Sequence, residues 1–499
     1  MLIAVHEIIV SSRLLFLFAF MIGLKLAAEP FLDPTDPFLR HEIRLLKDHG
    51  SISGTMGTWP LSLGGLKEGK ADGEVAWKHD LLGKTLAREN NLGLSPLRAS
   101  IGFADNRVTA RSFGDEPRAN FHSRVKASWM SDRFAARLSI SALSGVESDW
   151  KGRADDGLNL DGSYLAARLG NWSGSFGKVE RWWGPGWDGS LILSSNARPI
   201  PAVSLDRRVP EPFDSKWLSW IGPWSFHSFI GRMEKERHVP NPYLWGMRVE
   251  FEPTMVAGLE IGLFRMIQLG GQGRPQSLKI WVDAFLSQDN VGGNTGNDPA
   301  KEPGNQLAGL DLRWRPFDFP FAAYGQIAGE DEDDFLPNAL FFQYGIETWA
   351  VLENATFRFF AEYADLTSTW WTNDPKSRNV TYVHHIYQDG FRYLGRTIGH
   401  WADQDSKLVS IGGLLLREDG TGWGGTLRTG KLNEDGGGSS SVSNGYSTDL
   451  LSVELYHSRV YEDNGLEVTA SLGWESLKPV NYSSKNEGMT SCLSVSRTF

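Results

Sequence analysis

From about Leu97 to the last residue, Phe499, apolar and polar side chains alternate in short runs, and this period of two constrains the fold more than any other feature of the chain. Val125, Ala127 and Trp129 alternate with Lys126 and Ser128. Beyond the turn residues Ser131, Asp132 and Arg133, Ala136, Leu138, Ile140 and Ala142 alternate with Arg137, Ser139 and Ser141, so the two runs read as a hairpin. Trp245, Met247, Val249 and Phe251 oppose Arg248, Glu250 and Glu252; Leu310, Leu312 and Trp314 oppose Asp311, Arg313 and Arg315; Leu278, Ile280, Val282 and Ala284 oppose Lys279 and Asp283. A soluble sandwich would press such apolar faces together, whereas a membrane barrel turns them to lipid and lines its lumen with the charged faces. Period alone does not separate the two.

Length, composition and the ends of the sequence favour the barrel. The pattern runs for roughly 400 residues, room for about 18 strands of near 10 residues with their connections. Among 499 residues, 55 glycines and 20 tryptophans with a hydrophobic share of 41% describe many turns and many amphipathic aromatics. Beyond the extreme N-terminus no apolar run approaches the roughly 20 residues of a spanning helix. Residues 1–28 carry Arg13, an apolar stretch from Leu14 to Leu24 and small residues at Ala27 and Ala28, the order of a secretory signal peptide. At the other end Met489, Leu493, Val495 and Phe499 share one face while Thr490, Cys492, Ser494, Ser496 and Thr498 share the other, similar to the final strand of outer-membrane barrels.

Residues 29–95 read differently and are expected to form a small periplasmic helical bundle. Asp36 can cap a helix with Pro37 in its first turn, an apolar stripe at Phe38, Leu39, Ile43, Leu45 and Leu46, and Gly50 at its end. Further helices are expected over about Leu61–Leu66 and Val75–Asn90. The barrel then occupies residues 96–499. Three polar connections, Asp289–Gln306, Gly329–Asp334 and Asn433–Gly445, are placed at the cell surface as long loops.

Few residues look catalytic. Gly50-Ser51-Ile52-Ser53-Gly54 matches GxSxG, but it follows a helix instead of joining a strand to one, and no matching acid and histidine order stands out. His384 and His385 are adjacent, so if both lie on one strand they point to opposite faces and share no metal, and there is neither a phosphate loop nor a dinucleotide fingerprint. No enzyme activity, metal or cofactor is expected. A net charge of −10 with no concentrated basic face argues against nucleic acid. Cys492, the single cysteine, has no partner for an intramolecular disulfide.

The informative stretch is Arg181–Arg207, RWWGPGWDGSLILSSNARPIPAVSLDR, which has no single period and is expected to fold inward as a loop. Trp182, Trp183 and Trp187 offer flat apolar faces; Arg181, Asp188, Asn196, Arg198, Asp206 and Arg207 offer planar or paired hydrogen-bonding groups. Sugars stack on indoles and need such paired partners for their hydroxyls. The same residues equally suit a lumen plug whose charges pair with the barrel wall, and the two readings are compatible.

This block resembles the signature of Wzi-type capsule assembly proteins, and His41–Leu63, with its Thr58-Trp59-Pro60-Leu61 turn, is similar to their N-terminal region. The resemblance extends from about Leu39 to Phe499. It implies an 18-stranded outer-membrane barrel with a periplasmic helical bundle and inward loops, acting as a non-catalytic lectin for capsular polysaccharide or a related exopolysaccharide. Its implied partners are that polymer, outer-membrane lipid and the polysaccharide export machinery. The competing readings are a porin-like transport channel and an outer-membrane hydrolase, the latter requiring a nucleophile beside a base.

Overall fold

The computed structural model describes residues 31–68, 92–147, 153–286, 304–316, 319–333, 336–368, 378–437, 440–481 and 485–499. The expected signal peptide, the expected helix over Val75–Asn90 and most of the stretch Asp289–Gln306 lie outside these residues.

Eighteen antiparallel strands close into one barrel. The first, Arg98–Asp105, pairs with the last, Asn486–Thr498, in a register that runs from Asp105 opposite Ser491 to Arg98 opposite Thr498, so the sheet has no free edge. Alternation assigns the faces. Along Tyr243–Phe251 the residues Leu244, Gly246, Arg248 and Glu250 are buried inward, while Tyr243, Trp245, Met247 and Val249 look outward. Asp311 and Arg313 are likewise buried inside, and Leu310, Leu312 and Trp314 are exposed outside. The charged face therefore lines the lumen, and outward apolar residues such as Leu138, Leu263 and Leu455 meet lipid.

The two ends of the barrel differ. One carries short turns at 131–133, 170–171, 352–354, 418–421 and 462–465; the other carries the long connections 106–118, 178–201, 270–303, 366–406 and 433–447. Short turns of such barrels face the periplasm and long loops the exterior. Exposed Trp129, Trp217, Trp220, Trp314, Trp423 and Phe499 gather near the short-turn end, where an aromatic girdle sits at the membrane interface.

Before the barrel, one helix forms as its punctuation demands: α1, Pro37–Asp48, with Asp36 Oδ1 accepting from the amides of Phe38 (2.8 Å) and Leu39 (3.1 Å). The expected second helix does not form. Leu61–Ser62 is a short strand paired with Phe31–Leu32, followed by a single 3-10 turn at Leu63–Gly65, because six residues containing Gly64 and Gly65 cannot offset the cost of helix nucleation. Two other expectations are corrected. Leu278–Phe285 is a helix, α2, since a window of eight residues fits both periods and Lys279 pairs with Asp283 one turn on at 2.5 Å. The acidic run Gly329–Asp334 is not a loop up to Asp333: strand Phe321–Asp333 continues through it and pairs with Leu336–Val351.

Candidate functional site

The lumen is filled by three converging segments: α1 with the chain to Leu66, from the short-turn end, and loops 178–201 and 378–406, from the long-loop end. On α1 the spacing Arg40, Arg44, Lys47 makes one cationic stripe, and His41 and Asp48 extend it. Each member meets an inward residue of the wall or a facing loop. Both carboxylate oxygens of Glu260 accept from Arg44 (2.9 and 2.8 Å), Glu252 accepts from Lys47 at 2.7 Å, and Asp48 accepts a two-pronged contact from Arg313 (2.9 and 2.8 Å). Arg358 Nε donates to His41 Nδ1 at 3.0 Å, which leaves the other ring nitrogen as the donor to Thr356 Oγ1. The opposite stripe, Leu39, Ile43 and Leu46, packs with Trp59, Trp182 and the wall residue Trp349.

Loop 178–201 meets this segment from above. Trp182 and Trp183 pair as a short antiparallel ladder with Trp59 and Thr58. Arg40 donates to the carbonyls of Gly186 (2.8 Å) and Pro185 (2.9 Å) and lies 4.3 Å from the Phe113 ring and 4.4 Å from that of Trp187. Burial, with Arg44 nearby, pushes its guanidinium down to about 9. Below it, Thr58 and the amides of Met56 and Gly57 donate to Glu250. A Cβ on Gly57 would lie 2.9 Å from Glu250 Oε1, so a larger residue there would displace the Glu250 carboxylate from these donors.

Trp187 and Asp188 tie the loop to the wall. Trp187 Nε1 donates to Glu347 at 2.8 Å, its ring stacks on Phe360 with centroids 6.0 Å apart, and its amide and that of Asp188 both donate to Glu362. Asp188 accepts from Arg428 (2.7 Å), Ser410 (2.6 Å) and Trp401 Nε1 (3.2 Å). Burial opposes its charge, but Arg428 and these hydrogen bonds outweigh that cost and hold its carboxyl below the usual range. Arg428 in turn pairs with Glu454 at 3.2 Å.

The structure thus brings together five of the residues that the sequence singles out. Trp182, Trp183, Trp187, Asp188 and Asn196 are all buried in the plug, and Asn196 joins Thr397 of loop 378–406 at 2.9 Å. Arg181 is also buried, donating to Ser204 at 2.7 Å and lying over the Phe229 ring, and burial pushes it down to about 10. Arg198 stands nearer the outer surface, where it pairs with Asp155 and, at 2.6 Å, with Asp161. Asp206 contacts His227 at 2.9 Å on the inner wall. Arg207 is apart from the rest: it faces outward near the short-turn end and lies 3.8 Å from the Trp224 ring.

Sequence reasoning missed the wall residues Glu347, Glu362, Arg358 and Arg428, and named Arg313 only as part of a charged strand face, although their inward positions on alternating strands carried the signal. It also missed loop 378–406, where Arg392 forms a two-pronged pair with Asp403 (2.9 and 2.7 Å) and Tyr382 donates to Leu191 O at 2.6 Å. His384 and His385 lie in this loop with ring centroids 4.5 Å apart; among the described residues no three histidine, cysteine or acidic side chains form a metal-binding group. Ser53 sits on a two-residue strand and is exposed.

Comparison with known proteins follows the same outline. Residues 89–490 match the family described as capsule assembly protein Wzi. The solved structure of Wzi from Escherichia coli, described as a carbohydrate-binding β-barrel of the outer membrane involved in group 1 capsule assembly, superimposes with a TM-score of 0.78 at 25% identity, covering 94% of this chain and 100% of that one. A 55.8 kDa protein from the cps region of Klebsiella pneumoniae is 33% identical over 328 residues, 62% of this chain and 60% of that protein, so the match spans less than two thirds of that relative.

Proposed function

The chain belongs to the Wzi family of capsule assembly proteins, and on that premise we propose that it is a non-catalytic lectin of the outer membrane that holds capsular or related surface polysaccharide at the cell surface. The observation that carries this reading is the filled lumen. Three segments enter the barrel from both ends and are fixed to its wall by buried ion pairs, including Asp48–Arg313 and Asp188–Arg428. Removing one partner of such a pair leaves a charge buried without compensation, at a cost of about 3 to 5 kcal/mol, so the pairs specify where each segment docks. A lumen of this kind suits a scaffold for an outer surface better than a solute path, and it weighs against the channel reading.

On this account the buried residues of loop 178–201 act from beneath. Trp182, Trp183, Trp187, Asp188 and Asn196 fix the loops whose outer faces meet the polymer, and Arg198 with Asp155 and Asp161 is the contact at the surface. A guanidinium held between two carboxylates in that position suits the vicinal hydroxyls of a sugar. Cells deprived of the protein should release polysaccharide into the medium, and the wild-type chain should restore retention. An Arg198→Ala chain should insert normally and restore less than half of it. Full retention by cells lacking the protein would overturn the proposal.

A further inference from the structure

The plug fills the lumen unevenly. Along the strands Tyr243–Phe251, Leu336–Val351, Ala355–Asp365 and Lys407–Arg417 the inward residues Arg248, Glu347, Arg358 and Ser410 rest on plug segments and are almost wholly buried. Across the strands Leu466–Pro479, Asn486–Thr498, Arg98–Asp105 and Ala119–Met130 the inward face changes part-way. Gly473, Glu475 and Thr490, toward the long loops, are buried, whereas Thr469, Ser471, Cys492, Ser494, Ser100 and Arg124, nearer the short turns, are only half-buried. The register sets these side by side, with Ser471 and Ala104 on either side of Cys492 and Thr469 and Gly102 on either side of Ser494. Asp115 dips inside the barrel to accept from Arg124 at 2.9 Å, yet the two side chains are 48% and 32% exposed. At the short-turn end Arg98, paired with Glu467, is 40% exposed. Hydroxyls and charges left uncovered inside a barrel mark a water-filled crevice between plug and wall, since drying them would leave them without partners. From Thr498 to Cys492 the crevice follows the last strand for roughly 20 Å at about 3.4 Å per residue.

Burial returns at the level where loop 106–118 crosses the lumen. Thr109 donates to Glu475 through its amide (3.0 Å) and its hydroxyl (2.7 Å). The Phe113 amide donates to the Trp187 carbonyl at 3.2 Å, and its ring meets Trp59 and Trp182 edge-on with centroids 5.1 and 5.3 Å away. The Asp115 amide donates to the Thr35 carbonyl at 3.0 Å, and Arg118 donates to the Ser195 carbonyl at 2.9 Å before the chain rejoins the wall at Ala119. Arg396 of loop 378–406 rests on this crossing, donating to the Thr109 carbonyl at 3.2 Å. The segment therefore runs from wall to plug and back to wall over the inner end of the crevice.

We propose that loop 106–118 is the seal of this barrel: it closes, from the long-loop side, a water-filled crevice that reaches the short-turn end, and its displacement turns a sealed barrel into one that conducts ions. The rest of the plug stays fixed to the opposite wall through Asp48–Arg313 and Asp188–Arg428, so the path opens beside the plug and does not require the plug to leave. Charged and hydroxyl side chains along the crevice supply the lining that a hydrated ion needs.

The test records the full chain, folded in detergent, in a planar bilayer. Replacing residues 107–117 by a short Gly-Ser bridge should give steady conductance where the wild type is silent, in a barrel that keeps its heat-modifiable mobility in gels. Thr109→Ala combined with Phe113→Ala, which releases the crossing without removing it, should give intermittent openings. The crevice itself is read by thiol labelling in a Cys492→Ser background: Ser494→Cys should react with a charged methanethiosulfonate at least tenfold faster than Thr426→Cys, an inward position buried against the plug. Steady conductance already in the wild type, silence of both folded loop variants, or equal labelling at the two positions would overturn the proposal.

Discussion

Asp188 and His400 show how single residues hold the outer loops. Asp188 gathers donors from two wall strands and from Trp401, so replacing it with the isosteric asparagine would leave Arg428 with Glu454 as its remaining charged partner. For Asp188→Asn the expected loosening of the plug is about 2 kcal/mol, roughly a thirtyfold gain in opening, read as faster limited proteolysis within 378–406 at unchanged barrel content. His400 sits against Gly189, where a Cβ would come within 2.2 Å of the imidazole, and its Nδ1 accepts from the Ala402 amide at 3.2 Å. Burial pushes its pKa down to about 4 from 6.5, so the unfolded segment binds the extra proton more readily. Its contribution is complete above pH 6.5 and is lost as pH falls toward 4. Asp405 in the same segment, pushed up to about 7 chiefly by burial, works in the opposite direction, gaining stability as pH falls. The His400 effect is therefore read as a difference: on going from about pH 7 to about pH 4.5, the opening of amides 397–406, taken as their exchange relative to the intrinsic rate at each pH, should shift toward the open state in the wild type relative to His400→Gln. The same shift in both would refute it. At this scale the sequence was partly legible. Trp182, Trp187 and Asp188 announced themselves by composition, because aromatics and paired polar groups between prolines have no place in a plain strand. Their partners did not, since an inward glutamate such as Glu362 looks the same whether it faces water or a buried tryptophan amide.

Among the elements, α1 was legible because its signals are local: a capping Asp36, Pro37 in the first turn and an apolar stripe. Where it docks was not legible, because the pairs that place it, Asp48–Arg313 and Arg44–Glu260, join residues more than 200 positions apart in the chain. A double-mutant cycle of Asp48→Ala and Arg313→Ala should return a coupling of about 2 to 4 kcal/mol in the stability of the N-terminal segment, measured by its protease protection. A coupling near zero would mean that α1 is held by its apolar face alone. Helix α2 was misread as a strand for a physical reason: eight residues satisfy two periods at once, and only the outer wall, through Trp245 and Ile267, gives the helical form a surface to cover.

For the whole molecule, the alternating pattern made the barrel readable, since closure demands that nearly every strand repeat the same two-faced rule. Register and the plugged lumen required the structure: Arg248 lines the lumen in either reading, and its contacts with Thr58 at 2.7 Å and Asp311 at 2.9 Å show that the space in front of it is occupied. A lumen closed from both ends predicts a protein that binds at its outer surface and does not conduct. The direct test is to titrate the purified, detergent-folded chain with the producing strain's own surface polysaccharide and to record the same preparation in a planar bilayer. Saturable binding with no steady conductance is the predicted result; steady ion conductance without binding would contradict the account.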